Sequence, residues 1–317
     1  MEELLNTTAA ALKKAALNDD AKHLVLNNPA LYQVLKKAAD RYIGGETIEQ
    51  TLVKAVHYNR EGYKCSIEFM GENISTEFEA GLATKEFIKA IRHIQEQRLN
   101  STISLDLSHI GLSLSEELCR ANLEAICQAA EEANIEVTIS AEDTYKTDKV
   151  LITYIDTAKI FKNLSITLQV YLHRTKDDLH EIMKTSGRIR LVKGAFETPP
   201  ELALPRGSKL NQRYLDFLDQ LLQREHLCSI ATHDPYVQNE AKALIKAHGS
   251  KKEYYEFESL HGIQTERLRR LKDEGHPAKL YFVYGTQWYL YLCNRLAEYP
   301  QNVFTALLDI IGLDIRV

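Results

Sequence analysis

Ile189-Arg-Leu-Val-Lys-Gly-Ala-Phe-Glu197 is the stretch from which the rest of the chain can be read. A short β-prone run closes on Lys193-Gly194, and a loop holding three of the seven prolines follows. A strand that ends in a cation and a glycine delivers a charge and an exposed backbone to a ligand, as α/β folds do at strand C-termini.

It is one of eight similar runs, at Lys64–Met70, Ser101–Ser108, Glu136–Ala141, Ser165–Tyr171, Ile189–Lys193, Leu227–Ala231, Tyr254–Glu258 and Ala278–Val283. An amphipathic stretch follows each, with helix starts marked at Ser113-x-x-Glu116, Thr175-x-x-Asp178 and Asp234-Pro235. Eight such units over about 230 residues fit a closed α/β architecture, a (β/α)8 TIM-like barrel, whereas doubly wound sheets more often have fewer strands. Spacing alone does not exclude an open sheet.

Residues 1–62 carry no strand signal. They predict helices at Ala10–Ala16 and Leu31–Tyr42, and a third behind the capping box Thr47-x-x-Gln50, running to about Tyr58. Pro300–Gly312 predicts an extra C-terminal helix. The expected organisation is an N-terminal helical segment, 1–62, packed on a barrel spanning 63–317.

Composition narrows the class of protein. With 44% apolar and 26% charged residues in 317, the chain matches soluble globular averages, and its apolar runs are too short to span a bilayer. A net charge of −5 and a pI near 6.1 give little electrostatic reason to bind nucleic acid. The start, Met1-Glu-Glu-Leu-Leu-Asn-Thr-Thr8, lacks the basic and apolar regions of a secretory signal, so a cytoplasmic protein is expected. Cys65, Cys119, Cys127, Cys228 and Cys293 are odd in number and scattered, which predicts reduced, mostly buried thiols.

In a barrel the ligand groups lie at strand C-terminal ends. Here those ends are Gly71-Glu72, Ser108-His109, Glu142-Asp143, Gln169 with Tyr171, Lys193-Gly194, Thr232-His233, Leu260-His261-Gly262, and Tyr281 with Tyr284-Gly285. No G-x-G-x-x-G, P-loop, H-E-x-x-H or G-x-S-x-G motif is present. His109, His233 and His261 all fall at strand ends, but no local ligand spacing supports zinc, and no metal is expected. Lys193-Gly194 and Thr232-His233 together offer a point charge, free amides, a hydroxyl and an imidazole, a set suited to a pyrophosphate or a flavin. Lys193 by itself would serve equally in a rim ion pair. Tyr291, Arg295 and Glu298, spaced i, i+4, i+7, share one helical face. There Arg295 can clamp a carboxylate or pair with Glu298, and the pair is the simpler expectation.

Five motifs in order make the reading specific: Leu168-Gln-Val-Tyr-Leu-His-Arg-Thr175, Arg190-Leu-Val-Lys-Gly-Ala-Phe196, Ile230-Ala-Thr-His-Asp234, Tyr255-Glu-Phe-Glu-Ser-Leu-His-Gly262, and Tyr284-Gly-Thr-Gln-Trp-Tyr-Leu-Tyr291 with Asn294-Arg-Leu-Ala-Glu298. They resemble the strand motifs of the proline dehydrogenase family, and the likeness runs from about Ala39 to Leu313. The resemblance implies a distorted barrel holding FAD noncovalently. It implies hydride transfer from the carbon beside the nitrogen of L-proline or a proline-like amine to flavin N5, giving an imine, with reoxidation by a quinone or other acceptor.

By the same resemblance Arg190 would lie near N5, Gln169 at the pyrimidine edge, Val192, Lys193 and Gly194 along the cofactor, and Thr232 and His233 against its phosphate and adenosine portion. Glu298 would brace the cofactor or the neighbouring arginine. Arg190, Tyr281 and Arg295 are the expected catalytic residues.

The substrate wall departs from the family pattern. Asp106 stands where the family usually has lysine, Ser140 where it has aspartate, Phe196 where it has tyrosine, and Asn294 where it has the first of two arginines. Leu260, Tyr281, Tyr291 and Arg295 are kept. A substrate carboxylate about 5 Å from an ionised Asp106 would be repelled by roughly 3 kcal/mol at an effective dielectric near 20. The alternatives are therefore a flavin dehydrogenase for an amine lacking the carboxylate or carrying extra positive charge, and a flavin-binding or interaction protein without turnover. Peripheral membrane contact and oligomeric state stay open.

Overall fold

The computed structural model describes residues 2–71 and 74–312; Glu72, expected at the first strand end, and the expected C-terminal limit of the barrel lie outside the described residues. Eight parallel strands pair in chain order and close into a barrel: β1 (Lys64–Phe69), β2 (Ser101–Leu105), β3 (Val137–Ile139), β4 (Leu164–Gln169), β5 (Ile189–Val192), β6 (Cys228–Ala231), β7 (Tyr255–Leu260) and β8 (Ala278–Tyr284). The pairing of β1 with β8, Ser66 against Tyr281 and Glu68 against Val283, is the closing seam.

Helices α1 (Glu2–Ala16), α2 (Asp19–Asn27), α3 (Pro29–Ala39) and α4 (Ile48–Arg60) precede the barrel. One helix then follows each strand: α5 (Glu77–Glu96), α6 (Glu116–Glu132), α7 (Thr147–Ala158), α8 (Thr175–Ile182), α9 (Ser208–Gln223), α10 (Pro235–His248), α11 (Thr265–Asp273) and α12 (Trp288–Glu298). The extra helix α13 covers Asn302–Ile311.

Several boundaries differ from the predicted ones, each for a local reason. The N-terminal segment has four helices rather than three, because Asn18 caps α2 by accepting from Ala21 N, and Asn28 with Pro29 behind it starts α3. At Thr47 the cap accepts from Gln50 N, but Gln50 Oε1 accepts from Glu46 N rather than closing the box on Thr47. β2 stops at Leu105, since Leu107–Ile110 form a 3-10 turn, and α6 is capped by Ser115 rather than Ser113. Thr175 is the first residue of α8 and no cap; its hydroxyl donates to Gln169 O at 2.6 Å, tying the helix to the end of β4. Asp234 caps α10 as predicted, accepting from Tyr236 N and Val237 N with Pro235 at the first turn.

Every strand alternates strictly, and the alternation divides the barrel into two environments. One set, including Ile67, Leu105, Ile139, Ile166, Leu191, Ile230, Phe257 and Phe282, is fully or almost fully buried in a single apolar cluster with the helices. The other set points into the lumen and is mostly polar, with Val192, Ala231, Leu260 and Val283 as exceptions near the strand ends: Ser66 and Ser104 hydrogen bond at 2.8 Å, and Glu68, Arg190, Glu256, Glu258, Lys279 and Tyr281 meet inside. Branched apolar residues usually fill such a lumen. The apolar side of this barrel therefore lies outside the sheet and the ionic side within it. All five cysteines are buried thiols.

A second apolar cluster joins the N-terminal helices to the chain after β8. Tyr42, Ile43, Val283, Trp288, Tyr289, Leu292 and Leu296 pack together. Gly44 N donates to Val283 O at 2.8 Å, and Arg41 Nε donates to Asp309 Oδ2 of α13 at 2.6 Å. The N-terminal helices are thus anchored over the C-terminal end of β8, the end at which barrels bind ligands. Among the described residues no helix is long and apolar enough to cross a membrane.

Candidate active site

β5 and β7 carry the charged centre. Arg190 Nε lies 2.5 Å from Glu258 Oε1 in a buried ion pair. The Arg190 guanidinium carbon sits 4.7 Å from the centroid of the Tyr281 ring. Burial alone would ease the proton off Arg190, but the charges of Glu258, Tyr281 and Glu68 outweigh it and hold the pKa above its ordinary value.

Across the closing seam, Tyr281 donates its phenolic hydrogen to Glu68 Oε2 at 2.5 Å, and Ser140 Oγ donates to the same oxygen at 2.6 Å. Burial, then Glu68, push the Tyr281 phenol well above its ordinary value, with Asp106 adding to the rise. Asp106 continues β2 in extended backbone at φ −88° and ψ 132°, the next inward position after Ser104. Ser140 N donates to Leu105 O at 2.8 Å, which sets Ser140 beside it. Two of the four divergent positions, Asp106 and Ser140, therefore share one wall of the lumen with Glu68 and Tyr281.

α12 supplies the facing group. Arg295 stacks on Tyr291, 4.9 Å from carbon to ring centroid, and donates to Glu298 Oε1 at 2.7 Å, so the expected pair forms. Tyr291 is pushed up to about 12, by burial first, and its surroundings include Arg295, Glu298, Glu68 and Arg190, which joins this helix face to the lumen. His233 is lowered to about 4 by burial, with Arg295 adding to the shift. Leu260 N donates to His233 Nε2 at 3.4 Å, so the neutral ring carries its proton on Nδ1, which is buried without a partner. The Tyr291 hydroxyl and Arg295 Nε are also buried and unpartnered among the described residues. Buried polar atoms of this kind are costly unless something bonds to them.

The remaining expected residues lie on the rim. Lys193 Nζ reaches Asp234 Oδ2 and Asn211 Oδ1, both at 2.5 Å, the rim ion pair that a lone lysine there would make. Gly194 has φ +107°, and a Cβ on it would fall 2.2 Å from the Tyr171 ring. Val192 ends β5, and its carbonyl accepts from Val170 N at 2.9 Å. Gln169 Nε2 donates to Glu142 O at 2.9 Å, and Thr232 Oγ1 accepts from Asp234 N at 3.2 Å. Phe196 stands 42% exposed in the loop beyond β5, with its carbonyl held by the Tyr171 hydroxyl. Asn294 is half-buried beside Arg295 on α12.

His109 and His261 do not join His233. His109 Nδ1 bonds Phe69 O at 3.2 Å, and His261 Nε2 faces the Tyr58 hydroxyl at 3.3 Å. Among the described residues no three ligating side chains gather around a metal position. A cleft of about 630 Å³ lined by Lys64, Glu136, Asn163 and Arg188 opens at the N-terminal mouth, the opposite end from every expected ligand residue.

Glu68, Glu256, Glu258 and Lys279 were not among the expected site residues. Their signal is the alternation itself: in Lys64-Cys-Ser-Ile-Glu-Phe69 and Tyr255-Glu-Phe-Glu-Ser-Leu260 the charges fall on the face opposite the apolar residues.

The family model described as proline dehydrogenase matches residues 52–303. The chain belongs to the proline dehydrogenase family. Proline dehydrogenase 1 of Bacillus subtilis (strain 168) is 36% identical over 266 residues, covering 83% of this chain and 87% of that protein. Proline dehydrogenase 2 of the same strain is 33% identical over 278 residues, covering 88% and 92%. Among solved structures, proline utilization A from Bdellovibrio bacteriovorus inactivated by N-propargylglycine superposes with a TM-score of 0.81 at 17% identity, over 92% of this chain and 36% of that one. At that identity the likeness concerns the fold alone, and the chain spans about a third of the length of that protein. As a member of the proline dehydrogenase family, the protein thus has a barrel whose lumen wall brings Glu68 and Asp106 together with Ser140 and Tyr281.

Proposed function

We propose that the protein is an FAD-dependent dehydrogenase that oxidises L-proline at the carbon beside its nitrogen. The supporting observation is a cation, Arg190, fixed between Glu258 and the Tyr281 ring at the ligand-binding end of a proline dehydrogenase family barrel. Free proline is favoured over other amines because both Bacillus relatives named above carry the name proline dehydrogenase over most of their length.

The residues at the mouth fit the cofactor. His233 presents a buried, unused N–H, Tyr291 and Arg295 present unused polar atoms, and Gly194 keeps the backbone flush where a side chain would intrude. Lys193, Gly194, Thr232 and His233 would hold the phosphate and adenosine portion, Gln169 and Val192 the ring system, and Glu298 would keep Arg295 in place. FAD supplies a two-electron acceptor for the substrate hydride.

Arg190 provides a fixed positive charge where electron density arrives, and a preorganised charge of this kind costs no reorganisation during reaction. Arg295 offers its guanidinium fork to the substrate carboxylate, a charged contact of about 1.5–3 kcal/mol. Tyr281, Tyr291 and Leu260 wall the ring, and the helices anchored over β8 limit the entry of water. As the C–H bond breaks with its electron pair, the substrate nitrogen gives up a proton and a cyclic imine remains. With FAD bound, the two electrons would leave to a quinone or another acceptor.

The test is anaerobic titration of the FAD-loaded protein with L-proline. Loss of the oxidised flavin absorbance is expected. A spectrum unchanged at saturating proline, in protein that has bound FAD, would reject proline as substrate.

A further inference from the structure

Behind Arg190 the lumen holds a network of alternating charge, joined at the N-terminal mouth by Lys64 and Glu136, whose members Glu256 and Lys279 have no part in the proposed reaction. Arg188 Nε lies 3.6 Å from Glu256 Oε1, Lys279 Nζ lies 3.0 Å from the same oxygen and 3.4 Å from Glu258 Oε2, and Glu258 Oε1 meets Arg190 Nε at 2.5 Å. The Lys279 and Glu258 side chains are each only 1% exposed. The network runs from the N-terminal mouth of the barrel to the reactive end.

Strand register explains how it is assembled. Glu258 and Lys279 are paired neighbours on β7 and β8. Arg190 is in register with Ser229 on β6, not with β7, so its guanidinium must pass over β6 to reach Glu258. The small residues Ser229 and Ala231 leave that path open. Ser229 itself is turned to Glu256, to which its hydroxyl donates at 2.6 Å.

We infer that Glu258 is a positioning residue that acts through Arg190: shared between Arg190 and Lys279, it fixes the guanidinium and sets how much positive charge the cofactor feels. This rests on the flavin reading above. Glu258 holds Arg190 at Nε, and Nη1 donates to Thr167 Oγ1 at 3.5 Å, so the guanidinium is held from two sides. The Tyr281 ring bounds the guanidinium at 4.7 Å. Burial alone would push the Lys279 ammonium down, but Glu256, Glu258 and Glu136 hold it above its ordinary value, so it remains the counter-charge to Glu258.

Two substitutions should then act with opposite sign. A reduced flavin is richer in electrons, so more positive charge nearby favours reduction. Glu258→Gln keeps the shape and frees the charges of Arg190 and Lys279, which moves the flavin toward the reduced form. Lys279→Met leaves Glu258 less compensated and moves it toward the oxidised form. A purely structural role would loosen the site in both variants without reversing sign.

The experiment is spectroelectrochemical measurement of the flavin midpoint potential in the FAD-loaded protein. Glu258→Gln is expected to shift the equilibrium at least tenfold toward reduction, about 30 mV upward for a two-electron couple, and Lys279→Met to shift it downward by a similar amount. The double variant should return close to the parent. Should Glu258→Gln not fold, Glu258→Asp, which retains the charge and should leave the potential at that of the parent, carries the test together with the downward shift of Lys279→Met. Shifts of the same sign, or none, in protein whose flavin bleaches with proline would overturn the role of Glu258 and leave the proposed function standing. Failure of the parent to bind FAD or to bleach would instead overturn the flavin reading, and this inference with it.

Discussion

Tyr281 and Glu68 join β8 to β1 across the closing seam through a 2.5 Å hydrogen bond from phenol to carboxylate. Ser140 donates to the same oxygen from the end of β3 at 2.6 Å. Both donors satisfy a charge inside the barrel, and a buried carboxylate that loses a partner pays for its desolvation. Tyr281→Phe should therefore lower stability by about 1–3 kcal/mol, read by urea unfolding. It should also raise the proline KM, because the ring would no longer be held against Arg190. A variant as stable as the parent would show that the bond contributes nothing net.

Asp106 gives a prediction about affinity. Its backbone directs it to the lumen wall beside Ser140, where the proposed substrate brings a carboxylate. At a separation of about 5 Å and an effective dielectric near 20 the two charges repel by roughly 3 kcal/mol. Asp106 has interactions of its own that offset part of this charge, so Asp106→Asn should lower the proline KM severalfold and Asp106→Lys further, with kcat changing less. An unchanged KM in steady-state assays would mean that the charge of Asp106 is already balanced by its surroundings.

Much of this was legible in the residues. The eight strands, the Asp234-Pro235 helix start, the Arg295–Glu298 pair and the rim position of Lys193 follow from period and spacing, because each is decided within a few residues. The polar lumen was legible in principle, since alternation places Ser66 and Glu68 opposite Cys65 and Ile67. Nothing local, however, says which face of a strand turns inward. The contact of Arg190 with Glu258 was out of reach, as it depends on closure of the barrel and on β6 offering small side chains between the two. α2 was missed because Asn18 and Asn28 act as caps through side-chain geometry that composition does not reveal.

Acid should destabilise the protein from a higher pH than carboxylates alone would require. Burial lowers His109 to about 4 and His261 to about 3. In the unfolded chain both return to about 6.5, so below that pH the unfolded state takes up protons that the folded state refuses. Their contribution is fully present above about pH 6.5 and is lost as pH falls toward 4, at about 1.4 kcal/mol per pH unit for each ring. Urea unfolding between pH 7 and pH 4 should show this loss. His109→Gln should make the slope shallower by one ring's share, and an unaltered slope would contradict the assignment to His109.

Gly194 provides the sharpest separation of folding from cofactor binding. Its φ of +107° disfavours any L side chain, and a Cβ would fall 2.2 Å from the Tyr171 ring, whose hydroxyl also holds the carbonyl of Phe196. Gly62 offers a control, because its φ of +89° is equally unfavourable but nothing lies within 4 Å of its added Cβ. Gly62→Ala should cost only backbone strain, about 1–2 kcal/mol. Gly194→Ala should cost that strain and also displace Tyr171 and the loop after β5, moving Lys193 from the rim. FAD affinity, followed by flavin fluorescence on mixing, should fall at least tenfold in Gly194→Ala and stay near the parent in Gly62→Ala. Equal affinities in the two variants would show that the turn at Gly194 takes no part in holding the cofactor.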